Sequence, residues 1–176
     1  MPELDEMWME AMAEAKRRAA ELGRADVLDY IRLRETNDGA RAIGIRWLLT
    51  TFLEVATEAN RRGLNIAIEQ SENHKFQIGA TTLHGALVRL SSGVRKLTVE
   101  AGYPRTPADG FIRGGGLAVA RVAHFGMAKA NAELQLVRAS NEQDAPAWFA
   151  IDENNLRQQF STAHLKQHFA AFLGQT

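Results

Sequence analysis

The hydrophobic period of this chain changes once, near residue 63, and that change limits the fold more than any other feature. Before it, apolar residues recur every three or four positions; after it, they alternate. The first pattern is a helix with one buried stripe, and the second is a strand with one buried face. Helices and strands are therefore segregated along the chain. Segregation predicts an α+β fold with a largely antiparallel sheet, because parallel strands need a crossover helix between them.

Three helices are expected before the change. In the first, Trp8, Met12, Ala15, Ala19 and Leu22 share a stripe and Gly23 follows as the cap. Asp26 is placed to cap a second helix with Leu28 and Ile31 inward, ending before the turn signal Asn37-Asp38-Gly39. The third covers about residues 40–62. Ile43, Trp47, Leu48, Phe52, Val55 and Ala59 lie on one side of it, opposite a polar stripe of Arg46, Thr50, Glu54, Glu58 and Arg61.

The strands begin with Leu64, Ile66 and Ile68; Ser71-Glu72-Asn73 reads as a turn and Phe76 with Ile78 as the return strand. Ser91-Ser92-Gly93 joins 81–90 to 94–100 in a hairpin. Segments 117–125, 132–138, 147–151 and 156–160 follow, the last two joined by a turn at 152–155. The alanines of 117–125 also permit helix, but the alternation of Leu117, Val119 and Arg121 favours strand. Ser161 caps a final helix with Leu165, Phe169 and Phe172 on its apolar face. The expectation is a single domain, 1–176: three N-terminal helices packed on a sheet of about seven strands (63–160), then a C-terminal helix (161–174).

With no cysteine, disulfide scaffolds, thiolate metal sites and cysteine nucleophiles are excluded. No apolar run reaches the ~18 residues of a membrane span, so no membrane partner and a cytoplasmic setting are expected. The 21 basic and 21 acidic residues cancel, but unevenly. Residues 1–62 hold 10 basic and 12 acidic residues, 63–138 hold 9 and 5, and 139–176 hold 2 and 4. The sheet region is thus mildly basic, which suits an anionic small molecule; nucleic acid is a weaker expectation, since dense Lys/Arg and stacking aromatics are missing.

Chemistry is expected around the long loop 101–116. Its ligand-binding candidates are Tyr103, Arg105, Asp109, Arg113, Gly114 and Gly115, successive glycine amides beside an arginine being able to cup an anion. His84 and His124, both on strands, are weak catalytic candidates that would act as a general base beside Glu100. His164 and His168 lie four apart on the last helix but lack a third ligand, so no metal and no cofactor is expected. Ser91 and Ser92 read as turn residues, Asp152 and Glu153 as a solvated turn pair, and Trp47 and Trp148 as core. Without a catalytic motif, the leading expectation is a non-catalytic binding or assembly domain forming a homo-oligomer. The alternatives are a small-molecule pocket or enzyme between a curved sheet and the third helix, and an anionic-ligand or nucleic-acid binder.

Overall fold

A computed structural model describes residues 2–138 and 145–175, with side chains from residue 6 onward. The chain forms two compact units, Met1–Gly39 and Ala40–Thr176. The fold is α+β, with a seven-stranded antiparallel sheet and a C-terminal helix.

The first unit contains helix α1 (Pro2–Glu21) and the opening turns of α2 (Ala25–Arg61). Gly23 takes the left-handed conformation (φ 65°) and the Arg24 amide donates back to the Ala19 carbonyl at 2.9 Å, which closes α1. Ala19 and Ile31 are buried, Lys16 meets Glu35 at 2.5 Å, and the Arg34 guanidinium lies 4.7 Å from the Trp8 ring centre. Asp26 does not cap α2; it pairs with Arg24 at 3.1 Å inside the first turn.

Two helices, not three, precede the sheet. The expected second and third helices are one 37-residue element, and Asn37-Asp38-Gly39 lies within it. A single glycine costs a helix only ~1 kcal/mol, too little to break one flanked by good helix formers. The boundary between the two compact units nonetheless falls directly after Gly39.

In the second unit, Leu48, Leu49, Phe52, Ala56 and Ala59 of α2 are buried, whereas Ile43 and Trp47, expected inward, are 59% and 39% exposed. The inward position is Gly44, where an added Cβ would lie 2.6 Å from the Leu136 methyls. The Trp148 indole N–H donates to the Gly44 carbonyl at 2.8 Å across this close approach. Trp148 is core as expected; Trp47 is not.

The strands are β1 (Ala67–Ile78), β2 (Thr81–Ser92), β3 (Arg95–Tyr103), β4 (Ala118–His124), β5 (Ala132–Val137), β6 (Ala147–Ile151) and β7 (Arg157–Gln159), paired in that order as a meander. Segment 117–125 is therefore strand. The turn expected at Ser71-Glu72-Asn73 is instead a bulge within β1, between Ser71 and His74. The chain reverses after Ile78, through Gly79 (φ 59°) and Ala80.

One face of the sheet carries Val88, Leu90, Leu97, Val99, Ala120, Val122, Leu134, Leu136 and Trp148, packed against α2 and α3 (Thr162–Leu173). Ser161 caps α3 with His164 as its reciprocal partner, and Gly174 ends it in the left-handed conformation. The space between sheet and helices holds the larger hydrophobic core. The second face holds a smaller buried cluster, Phe76, Leu83 and Val119, with Ile78 and Ile112 against it and no helical residue in it.

Candidate functional site

Side chains alternate between faces, so register decides who meets on the second face. The pairs His74↔Gly85, Gly85↔Gly102, Gly102↔Val119 and Val119↔Gln135 form one row across it. Leu87↔Glu100, Glu100↔Arg121 and Arg121↔Glu133 form the next.

Glu100 is the only acidic residue among the described residues that is buried, at 7% exposure. Arg121, facing it on β4, donates from Nε at 2.9 Å and from Nη2 to the same oxygen, Oε1. The His74 Nε2 lies 2.6 Å from the other oxygen, Oε2. His74 reaches from β1 to β3 because the β2 residue between them is Gly85, which has no side chain to obstruct it. Backbone packing there is so close that a Cβ on Gly85 would overlap the Ala101 carbonyl oxygen. Phe76 stacks on the His74 ring at 5.5 Å and lies 6.0 Å beneath the Arg121 guanidinium. Both oxygens of this buried carboxylate thus have a partner, Oε1 the Arg121 guanidinium and Oε2 the His74 ring, the condition under which a buried charge is tolerated.

Beside this network, on the same face, is a cavity of about 530 Å³. Ile78, Leu83, Val119 and Ile151 supply its apolar walls, while Thr81, Arg113, Glu133, Gln135 and Asn155 supply polar groups. The long loop forms its edge with Phe111, Ile112 and Arg113. Two hydrogen bonds tie that loop down: Thr81 Oγ1 to the Phe111 carbonyl (3.0 Å), and Gln135 Nε2 to the Arg113 carbonyl (3.0 Å). Gly116 lets the loop close on Gln135, since a Cβ there would sit 3.3 Å from Oε1. The same closure leaves Oε1 buried without a donor.

The expected site residues separate into distinct places. Arg113 lines the cavity. Gly114 and Gly115 (φ 76° and 74°) form the tight turn behind it, where the Gly115 amide donates to the Ile112 carbonyl rather than pointing at an anion. Tyr103 lies on the helix-covered face under the Arg41 guanidinium, 4.7 Å from its ring centre. Asp109 fastens the loop to itself. Its Oδ2 accepts from the Thr106 and Arg105 amides at 3.0 Å each and lies 3.3 Å from His84 Nε2. The Thr106 amide, then Arg105 and His84, hold its carboxyl below the usual range. Arg105 enters only through its backbone amide.

His84 and His124 do not converge. They pair with opposite ends of β3, His84 with Tyr103 and His124 with Leu97. His124 Nε2 instead meets His168 Nδ1 at 3.0 Å, the rings stacked with centres 5.3 Å apart. Burial, then the neighbouring His124 and His164, pushes His168 down to about 4; burial also lowers His124. The histidine beside Glu100 is His74, which follows the expected turn Ser71-Glu72-Asn73 and is not among the expected site residues. Its signal was the alternation of His74, Phe76 and Ile78, which continues the strand past the supposed turn.

Among the described residues no group of three or more His, Asp or Glu is placed to hold a metal ion, and no helix is long and apolar enough to cross a membrane. Two of the nine basic residues of the sheet region pair with acids of the same region, Arg89 with Glu69 at 3.0 Å and Arg121 with Glu100. Comparison with protein-family models, characterised proteins and solved structures finds no match to this chain.

Proposed function

We propose that the second unit is a small-molecule-binding domain whose ligand occupies the cavity on the sheet face opposite α3. The observation that carries this reading is the cavity itself: about 530 Å³, with apolar walls and polar groups supplied by β2, the long loop, β5 and the β6–β7 turn. That size falls within the ~300–1,000 Å³ typical of ligand sites, and an apolar body with sparse polar contacts is their usual composition. The loop over it is longer than compact domains need for a strand connection.

A neutral apolar fluorophore, N-phenyl-1-naphthylamine, tests the reading. Its emission should rise saturably with one site per chain. Ile151→Trp, which fills the cavity from β6, should abolish the rise with little change in melting temperature. Equal emission from the wild type and Ile151→Trp would refute binding in this cavity.

A second reading, assembly into a homo-oligomer, draws on the first unit. Met7, Met9, Leu22 and Tyr30 are each more than 60% exposed there, an unusual density for so small a unit. Light scattering at tens of micromolar distinguishes it, since a strict monomer removes this reading and leaves the pocket untouched.

A further inference from the structure

Building on the pocket reading above, we infer that the ligand is dipolar: an α-amino acid, or a molecule of that chemistry, with a large apolar side chain. Arg113 and Glu133 both line the cavity, and neither has an ionic partner among the described residues. They are not within ion-pair distance of each other. One cavity therefore presents a cation and an anion, both solvent-exposed and neither in an ion pair among the described residues, beside apolar walls.

Glu133 is uncompensated for a structural reason. Its cross-strand neighbour is Arg121, and opposite charges in that position ordinarily pair. Arg121 is committed to Glu100, through Nε and Nη2. The buried network thus takes the cation that stands directly opposite Glu133 on β4. Arg113, for its part, is fixed by its backbone carbonyl to Gln135, two residues along the same strand face from Glu133. Among the described residues no carboxylate pairs with its guanidinium.

A ligand carrying one charge satisfies one of these groups and leaves the other partly desolvated beside an apolar body, which costs free energy. A neutral ligand leaves both. A zwitterion directs its carboxylate to Arg113 and its ammonium to Glu133 while its side chain meets Ile78, Leu83, Val119 and Ile151.

Four probes of one skeleton separate these cases by amide NMR titration of the full chain: L-phenylalanine, 3-phenylpropionate, phenethylamine and 2-phenylethanol. L-Phenylalanine should bind about tenfold more tightly than either singly charged probe, the difference one charge-assisted contact makes. Glu133→Gln should bring 3-phenylpropionate level with L-phenylalanine, and Arg113→Gln should do the same for phenethylamine, with spectra that remain dispersed. If all four probes bind the wild type within about twofold, the dipolar inference is overturned and the pocket reading stands. If none of them, 2-phenylethanol included, shifts the amides of Gly79, Thr81, Ile112 and Asn155, the pocket reading fails and this inference fails with it.

Discussion

Gly85 and Gly102 face each other across β2 and β3, and their missing side chains make the second face what it is. With no Cβ at Gly85, His74 spans from β1 to Glu100 on β3, and the two strands approach closely enough for a Cβ to strike backbone on the neighbouring strand. Gly85→Ala should therefore cost at least about 3 kcal/mol, beyond ordinary overpacking, because backbone rather than a mobile side chain blocks the new methyl. Denaturant unfolding measures it; a loss below about 1 kcal/mol would mean the strands part easily there. This arrangement was not legible in the sequence. A glycine inside an alternating run signals a bulge or close approach, but which side chain uses the space depends on register. Register also defeated the pairing of His84 with His124, since both belong to the helix-covered face yet meet opposite ends of β3. Arg113 was legible as a candidate from its place in a long loop. Glu133 was not, because its availability depends on Glu100 engaging Arg121.

Element by element, periodicity matches the sheet and α3, and its two false element boundaries share one cause. At each, a local turn signal is outweighed by the elements on either side of it. Asn37-Asp38-Gly39 was absorbed by a helix long enough to bear one glycine, and Ser71-Glu72-Asn73 was absorbed by a bulge in β1. The docking of α3 carries its own test. Its His168 is neutral against His124, with one ring nitrogen donating and the other accepting, and burial holds it down to about 4. The unfolded chain takes up this proton near pH 6.5, the folded chain only near 4, so the unfolded state binds more protons between those values. Stability should be full above about pH 6.5 and decline as pH falls toward 4. Partial solvation limits the loss to about 2 kcal/mol, or roughly 4–8 °C in melting temperature. His168→Gln should flatten that dependence. A wild-type profile flat from pH 7 to 4 would contradict it.

For the molecule as a whole, the distribution of buried residues says which part folds by its own means. Every residue of the two buried clusters lies at position 48 or later, from Leu48 to Phe172, and so do all the cavity-lining residues. Among its described side chains the first unit has two buried apolar residues, Ala19 and Ile31, and otherwise salt links between exposed groups such as Lys16 with Glu35. Exposed ion pairs contribute ~0–1 kcal/mol each, and chains below ~40 residues seldom hold a core without a disulfide, a metal or a partner. Cysteine is absent, so the first of these supports is unavailable. The 137 residues from Ala40 onward carry the closed hydrophobic core instead, with α2 and α3 against one sheet face. A chain beginning at Ala40 should therefore unfold cooperatively and bind N-phenyl-1-naphthylamine as the full chain does. Calorimetry of the two chains side by side measures the first claim, fluorescence titration the second. Loss of the cooperative transition on truncation would show that the core requires the helices before Ala40. A retained transition with lost binding would show instead that the first unit shapes the ligand site, although none of its residues lines the cavity.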